Sequence, residues 1–238
     1  MSPAIPTEPG GYVLRVSARA RRARITVDAH GRVSVVVPSG FDPALAARMV
    51  SEREDWIRSA RQRMAERYPG AGQTGLPRTL HLPATGESFH LQPGSGARGP
   101  VVRIEGEGLL LVRSEGTGSE AAKRALLTWL AGHLRPWAES RLRAMGEPHR
   151  LTPSKVALRS QRTRWGSCSA KGVISVNVRT AFLEPQLADY VLAHELAHLA
   201  EMNHAPGFWK RLEEIMPGAA RLDRELSQAG RSLPGWLL

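Results

Sequence analysis

Cysteine is nearly absent from this chain of 238 residues, which contains only Cys168. A single cysteine cannot form a disulfide within the chain, and this fits a reducing compartment. Long apolar runs are also missing, since no stretch approaches the roughly 18 residues of a membrane span. The segment Met1–Gly11 has neither the basic nor the apolar region of a signal peptide. We therefore predict a cytoplasmic protein that does not enter a membrane.

Acidic residues are the minority among the charged side chains. Lys and Arg number 33 against 22 Asp and Glu, which gives a formal net charge of +11. Nearly all the cations are arginine. Such an excess favours acidic partners such as nucleic acid, an acidic protein surface or anionic lipid headgroups. The other interpretation is a solvated basic surface in which arginine has replaced lysine throughout.

The densest group of cations lies near the amino end. It comprises Arg15, Arg19, Arg21, Arg22 and Arg24. No aromatic residue is interleaved with these arginines, so the segment itself does not indicate stacking of single-stranded bases. Nucleic acid is kept as an alternative partner through this Arg-rich surface.

The first half of the chain has the short alternating patterns of strands. Alternation and turn residues predict strands at Tyr12–Ser17, Arg24–Asp28, Arg32–Val37, Thr79–Leu82, Ser88–Leu91, Val101–Ile104 and Leu109–Val112. Between the third and fourth strands, Asp42 can cap one long helix from Pro43 to about Arg67. A joint rich in Gly and Pro follows at 69–77.

The second half alternates helices with two further strands. A helix to about Met145 contains Pro136, which should kink it or divide it in two. Strands are predicted at Lys155–Leu158 and Val173–Val178, with a loop at Trp165–Ser169 between them. Trp236 is expected to fold back onto the body of the protein.

The most informative motif is His194-Glu195-Leu196-Ala197-His198, with His204 six residues later. The surrounding apolar residues recur at helical spacing, and Pro185 suits the start of the helix. Two histidines four apart on a helix can reach one metal ion. Glu195 flanks the same face, where it can hold a water molecule without binding the metal, as the general base of a zinc hydrolase does.

A third ligand is needed to leave one open position on zinc. Asn203 can take a left-handed conformation that ends the helix, and Pro206 suits the start of the next helix at 206–216. His204 would then lie in the elbow between the two helices. Glu201 is the rival ligand, because it follows His194 by seven residues on about the same helical face. A carboxylate there could instead orient a histidine ring or stay solvated.

The motifs of the second half resemble one known family. The motif residues are Arg164–Ser169, Gly172–Asn177, Tyr190–Val191, the HELAH helix, Asn203–His204 and Phe208–Trp209. Together they resemble the YgjP-like zinc metallopeptidases, relatives of the SprT-like and gluzincin-type proteases. The likeness extends over roughly residues 11–217. It implies that His194, His198 and His204 bind Zn²⁺ and that Glu195 is the catalytic residue.

The patterns and the resemblance together imply an α+β fold. We expect an antiparallel β-rich N-terminal region with one long helix at 11–115. A zincin-like catalytic region would follow at 116–217, with the HExxH helix packed on a small sheet. Residues 218–238 would form a C-terminal tail whose function is not legible from the sequence, and the oligomeric state is equally open.

The leading functional hypothesis is a zinc-dependent peptidase that acts on a peptide or protein. Glu195 would take a proton from the attacking water and deliver it to the leaving amine. Two alternatives remain, namely a nucleic-acid-associated protein, such as a protease recruited to DNA, and a structural zinc protein without turnover. The intact Glu195 argues against the latter.

Several residues around the motif have open roles. Arg162, Arg164 and Tyr190 are the nearest candidates for stabilising the oxyanion, although a structural or phosphate-facing role is the favoured interpretation of each. Cys168 can be a buried small side chain, a redox-sensitive thiol or a fourth ligand. The strand at Val173–Val178 is either a core strand or the sheet edge on which an extended substrate would pair.

Overall fold

The computed structural model describes residues 11–72, 75–94, 101–104, 108–113, 120–161 and 163–237. Backbone contacts divide the chain into two compact units, Met1–Gln73 and Thr74–Leu237. The expected division at residue 116 differs from this one, because the sheet formed by residues 79–113 packs with the second unit. Residues 218–237, expected to form a separate tail, belong to the second unit as well.

The first unit contains a three-stranded sheet. Its strands are β1 (Tyr12–Val16), β2 (Arg24–Val27) and β3 (Val33–Val37), in the order β1-β3-β2. Alternate residues of β1 and β3 are buried, as the pattern predicts. β2 pairs antiparallel with β3, but β1 runs parallel to β3. The expected antiparallel arrangement is therefore wrong for β1, because alternation fixes the buried face of a strand and not the direction of its neighbour.

Two helices complete the first unit where one was expected. They are α1 (Pro43–Glu52) and α2 (Glu54–Arg67). Asp42 caps α1, since its Oδ1 accepts a hydrogen bond from the backbone N–H of Ala44 at 2.9 Å. Arg53 separates the helices with a non-helical backbone at φ −116° and ψ 19°. Ala46 and Ile57 contribute to the same core as the sheet.

The second unit opens with a four-stranded sheet and two helices. Its strands are β4 (Thr79–Leu82), β5 (Glu87–Gly94), β6 (Val101–Ile104) and β7 (Leu109–Arg113), in the order β4-β5-β7-β6. The β5–β7 pair is parallel, so this sheet is mixed as well. The predicted division at Pro136 occurs: α3 (Glu120–His133) and α4 (Arg135–Gly146) are separate, and Pro136 lies in the first turn of α4.

The part of the second unit that carries the motif is a small sheet with three helices. The elements are β8 (Lys155–Arg159), β9 (Gly166–Cys168), β10 (Val173–Asn177), α5 (Pro185–Ala197), α6 (Pro206–Ile215) and α7 (Ala219–Ala229). The strand order is β8-β10-β9. β9 lies where the sequence predicted only a loop, since three residues rich in Gly and Ser carry almost no strand signal.

The α+β class is confirmed, and the helix α5 contacts both β9 and β10. Leu192 and Leu196 of α5 share one core cluster with Ile174 and Val176 of β10. Trp236 folds back onto this core as predicted, and it is only 2% exposed. None of the helices in the described ranges is long and apolar enough to span a membrane.

Candidate metal centre and active site

The helix α5 is buried on nearly all sides. Pro185 stands at its first turn, where the missing N–H costs no hydrogen bond. Most of its residues are buried, and these are Leu187, Ala188, Tyr190, Val191, Leu192, Ala193, Glu195, Leu196 and Ala197. A helix that is apolar all round belongs inside a domain rather than on its surface. The motif residues are therefore held by the most enclosed helix of the unit.

The chain turns sharply after α5. The helix ends at Ala197, and His198 is its C-cap residue with helical backbone angles. Asn203 does not take the predicted left-handed conformation, because Arg150 is the only non-glycine residue with positive φ among those described. Instead, Asn203 Oδ1 accepts a hydrogen bond from the N–H of Ala205 at 3.0 Å. This short turn leads directly into α6.

The turn brings three imidazoles together. One ring nitrogen from each of His194, His198 and His204 lies within 4.8 Å of the others. The Nε2 atoms of His194 and His204 are 3.1 Å apart. Tetrahedral zinc with bonds of about 2.05 Å requires ligand nitrogens about 3.3 Å apart. The donor set fits such an ion, and no other group of three potential ligands converges within the described ranges.

Glu201, the rival ligand, lies elsewhere. A β-carbon on Gly207 would be 3.3 Å from Glu201 Oε1, so the carboxylate lies beside the first turn of α6. A negative charge is stabilised at the N-terminal end of a helix. Glu201 contributes to the cluster through its backbone, because its carbonyl oxygen is 2.9 Å from His198 Nδ1. Donation of the Nδ1–H to this oxygen leaves Nε2 of His198 as the ligand atom.

Phe208 packs against all three imidazoles. Its ring centroid is 4.9 Å from that of His194, 4.5 Å from that of His198 and 4.7 Å from that of His204. Phe208 is fully buried in the first turn of α6. Sequence patterns assigned Phe208 no role beyond the family resemblance, although its place four residues after His204 could have suggested one.

The surroundings of His194 and His198 favour the neutral imidazole. Burial, together with the neighbouring imidazoles of His198 and His204, lowers the pKa of His194 to about 4. Burial also lowers the pKa of His198. Neutral imidazole is the form that binds a metal ion, so the site is prepared for one near pH 7.

Glu195 is buried beside this cluster, with only 6% of its surface exposed. Its Oε2 atom has no hydrogen-bond partner in the described structure. Burial raises the pKa of Glu195 to about 7, and the charge of Arg164 opposes this rise. A carboxyl group that titrates near pH 7 can both accept and return a proton.

Gly166 of β9 makes room for Glu195. A β-carbon at residue 166 would lie 2.6 Å from both Cγ and Oε1 of Glu195. Real β-carbons do not approach other atoms so closely. Glycine at this position thus lets β9 pass directly over the carboxylate.

β8 and β9 are the edges of the small sheet, and of the two roles left open for the strand at Val173–Val178, the core strand is the one observed. β10 lies between β8 and β9, so it is a core strand and cannot accept a further strand. The N–H of Asn177 bonds to Trp165 O, and the N–H of Ser169 bonds to Val173 O. By the alternation of an antiparallel pair, the backbone groups of Gly166 and Cys168 then face away from β10. Among the described strands, β9 pairs with β10 alone.

The remaining candidates of the sequence have these surroundings. Tyr190 donates its O–H to Asp223 Oδ1 at 2.9 Å, and burial raises its pKa. Cys168 is not part of the histidine cluster. Its pKa is raised mainly by burial and also by the negative charge of Glu195. The Arg164 carbonyl accepts a hydrogen bond from Asn177 Nδ2 at 2.6 Å. Arg162 lies outside the described residues.

A cavity of about 210 Å³ opens beside Glu195. Its walls come from the start of β9, from α5 and from α7. Trp165, Val191 and Leu226 give it apolar walls, and Asp223 adds a carboxylate. No sequence pattern connected α7 with the motif, because α7 and α5 are distant in sequence and come together only in the folded chain.

Comparison with known proteins shows which family this chain resembles. No curated protein matches the chain. Among solved structures, the crystal structure of the metallopeptidase zymogen of Pyrococcus abyssi abylysin is similar at 27% identity and a TM-score of 0.36, covering 40% of this chain and 98% of that chain. The family model "YgjP-like, metallopeptidase domain" matches residues 21–229. A match over most of the sequence means that this chain belongs to the YgjP-like metallopeptidase family.

Proposed function

We propose that this metallopeptidase depends on zinc, which His194, His198 and His204 would hold, and that Glu195 is its general base. The observation that carries the proposal is the convergence of three imidazoles next to a buried carboxylate with one unpartnered oxygen. Three protein ligands leave the fourth position of a tetrahedral ion open, which is typical of catalytic zinc. A structural site would be closed by a fourth ligand, and Cys168 does not join the cluster.

Three imidazole ligands suit zinc better than they suit harder cations. Imidazole nitrogen suits zinc, whereas magnesium and calcium prefer oxygen ligands. When bound, zinc supplies Lewis acidity that makes an attacking water more acidic and a scissile carbonyl more electrophilic.

Glu195 supplies the proton transfers. Its free Oε2 can accept a proton from the attacking water, and its pKa of about 7 allows the same oxygen to donate that proton to the leaving amine. The enclosed position excludes competing bulk water from the carboxylate. Gly166 holds the adjacent backbone close enough to keep Glu195 in one orientation.

An extended peptide or protein segment fits the edge of β9. The backbone N–H and C=O groups of Gly166 and Cys168 can pair with the backbone of a substrate, as in other cases of strand addition. Because Gly166 touches Glu195, a substrate paired there would place its backbone beside the general base. The location of the protein in the cytoplasm stays a prediction, supported by the single cysteine.

The test compares Glu195→Gln with His204→Ala. We expect Glu195→Gln to bind one zinc ion per chain and to lose hydrolysis of a peptide library by at least about 100-fold. His204→Ala should lose most of its zinc. Glu184→Gln is the matched control, because Glu184 precedes the same helix and is exposed. Wild-type protein that binds zinc but cleaves no peptide would favour the structural alternative.

A second function, binding of nucleic acid, has one observation in its favour within the first unit. Trp56, 43% exposed, lines a concavity of about 320 Å³ together with Arg24 and Arg53. The ion pairs described in this unit involve Arg32, Arg48 and Arg58, not the cluster from Arg15 to Arg24. An exposed ring beside free guanidinium groups is the surface on which single-stranded bases stack.

Salt titration of single-stranded DNA binding tests this second function. Arg24→Gln should reduce the slope of log K against log salt by about 0.7. Trp56→Ala should lower affinity about tenfold and leave the slope unchanged, because stacking releases no counterion. Wild-type protein that does not bind near physiological salt would remove nucleic acid as a partner.

A further inference from the structure

Asp223 is a carboxylate without a cation. Its Oδ1 accepts the hydrogen bond from Tyr190, and no cation pairs with either oxygen within the described ranges. Two acids near it in the same unit do have a cationic partner: Asp189 pairs with Arg141, and Glu225 pairs with Arg221.

The cavity beside Glu195 contains this free carboxylate. Asp223 lines it from α7, and Trp165, Val191 and Leu226 form apolar walls. Ligand pockets for whole small molecules span about 300–1,000 Å³, so a cavity of about 210 Å³ is suited to a single side chain. Apolar walls that end in a carboxylate match lysine and arginine, which have an apolar stem and a charged head.

The position of the cavity links it to the substrate. Gly166 and Glu195 belong both to the walls of the cavity and to the proposed site of proton transfer. A peptide paired with β9 therefore passes the mouth of the cavity, and successive side chains of an extended peptide point to alternate faces. One side chain next to the scissile bond can enter while the backbone stays on the edge.

We propose that Asp223 selects a lysine or arginine side chain of the substrate next to the scissile bond. This inference rests on the proposed function, because it assumes that a peptide lies along β9. Asp223 then acts as a specificity-determining residue. Its interaction with the substrate cation is charge-assisted, and the apolar walls strengthen it by excluding water.

Binding to a variant that cannot cleave tests the inference apart from catalysis. The protein is zinc-loaded Glu195→Gln, and the ligands are short alanine-based fluorescent peptides with one lysine or one norleucine at each position in turn. Norleucine keeps the apolar stem and lacks the amine. We expect lysine at one position to bind about tenfold more tightly than norleucine, measured by fluorescence anisotropy.

Substitutions at Asp223 identify the group responsible. Asp223→Asn, added to Glu195→Gln, should remove the preference for lysine, and Asp223→Lys should favour a glutamate peptide instead. Glu225→Gln is the matched control on the same helix and should keep the preference. Tyr190→Phe should also keep it, because that change removes one hydrogen bond and leaves the carboxylate in place.

Two results would overturn the inference. One is equal binding of lysine and norleucine at every position. The other is that Asp223→Asn loses zinc and binds the lysine and norleucine peptides equally weakly. Asp223 would then support His194 rather than bind the substrate. Failure of the proposed function looks different, because wild-type protein would hydrolyse no peptide while the preference in binding persisted.

Discussion

The α-carbon of Gly166 faces the side chain of Glu195 so closely that the pair leaves no space for a methyl group. An added β-carbon would lie 2.6 Å from Glu195 Cγ and Oε1. This relationship joins the exposed edge of the small sheet to the buried carboxylate. Under the proposed function, Gly166 therefore positions the general base although it has no side chain.

Gly166→Ala should reduce kcat/KM by about 100-fold, because a displacement of the general base by about 1 Å costs that much. Zinc content should remain at one ion per chain, since the three atoms nearest to a β-carbon at residue 166 all belong to Glu195. Peptide hydrolysis and metal analysis of the same sample provide the measurement. Gly132→Ala is the control. It also replaces a glycine by alanine, but in a helix where the added β-carbon meets nothing within 4 Å. Full activity in Gly166→Ala would contradict the assignment of Glu195.

Phe208→Leu should weaken zinc binding about tenfold or more, because the ring that supports all three imidazoles is lost. It should also lower the free energy of unfolding, as other changes of buried aromatic residues do. Zinc affinity is measured by competition with a chelator, and stability by denaturant unfolding. Phe89→Leu is the matched control. Phe89 is buried in the same unit against Trp129, so that variant should lose stability and keep its zinc affinity.

Removal of zinc should destabilise the second unit. An ion that binds only the folded state at 1,000 times its Kd adds about 4 kcal/mol to the free energy of unfolding. A chelator should therefore lower the melting temperature of wild-type protein, and restored zinc should recover it. His204→Ala should show little response to either treatment. An unchanged melting temperature in the wild type would mean that the three imidazoles do not hold the ion.

Asp28 should stabilise the first unit in a pH-dependent way. Its burial raises the pKa, but hydrogen bonds from the Arg32 side chain and from the N–H groups of Arg32 and His30 outweigh this and hold it below the usual 3.8. A carboxyl group with a lowered pKa contributes stability above the unfolded value, and this contribution is lost as pH falls through the folded value. Unfolding of wild type and Asp28→Asn should therefore differ near pH 6 and converge in strong acid. A constant difference at every pH would contradict the sign.

Local patterns predicted the local parts of this protein. The spacing of His194 and His198, the proline at the start of α5 and the break at Pro136 depend on neighbours within one or two turns, where helical geometry is fixed. The short turn before α6 was also foreseen, although its hydrogen bond at Asn203 replaced the expected left-handed residue.

Contacts between distant segments were beyond the reach of one sequence. Alternation could not show that β1 runs parallel to β3, nor that β10 is central, because pairing partners are chosen by the fold. The hydrogen bond between Tyr190 and Asp223 spans 33 residues, and the contact between Gly166 and Glu195 spans two elements. The strand signal of β9 was too weak to predict a strand. Gly166 suggested a turn, and its close contact with Glu195 is visible only in the folded structure.

The helix α5 stops one residue before His198, and His204 follows only after the turn. The proposed ligand set therefore spans a helix terminus instead of lying on one continuous helix. An insertion or deletion of a single residue between positions 199 and 203 would rotate the third imidazole away while leaving the HExxH signature unchanged. Homologues that carry the signature but differ in the length of this connection should be read as proteins that have lost or rebuilt their metal site.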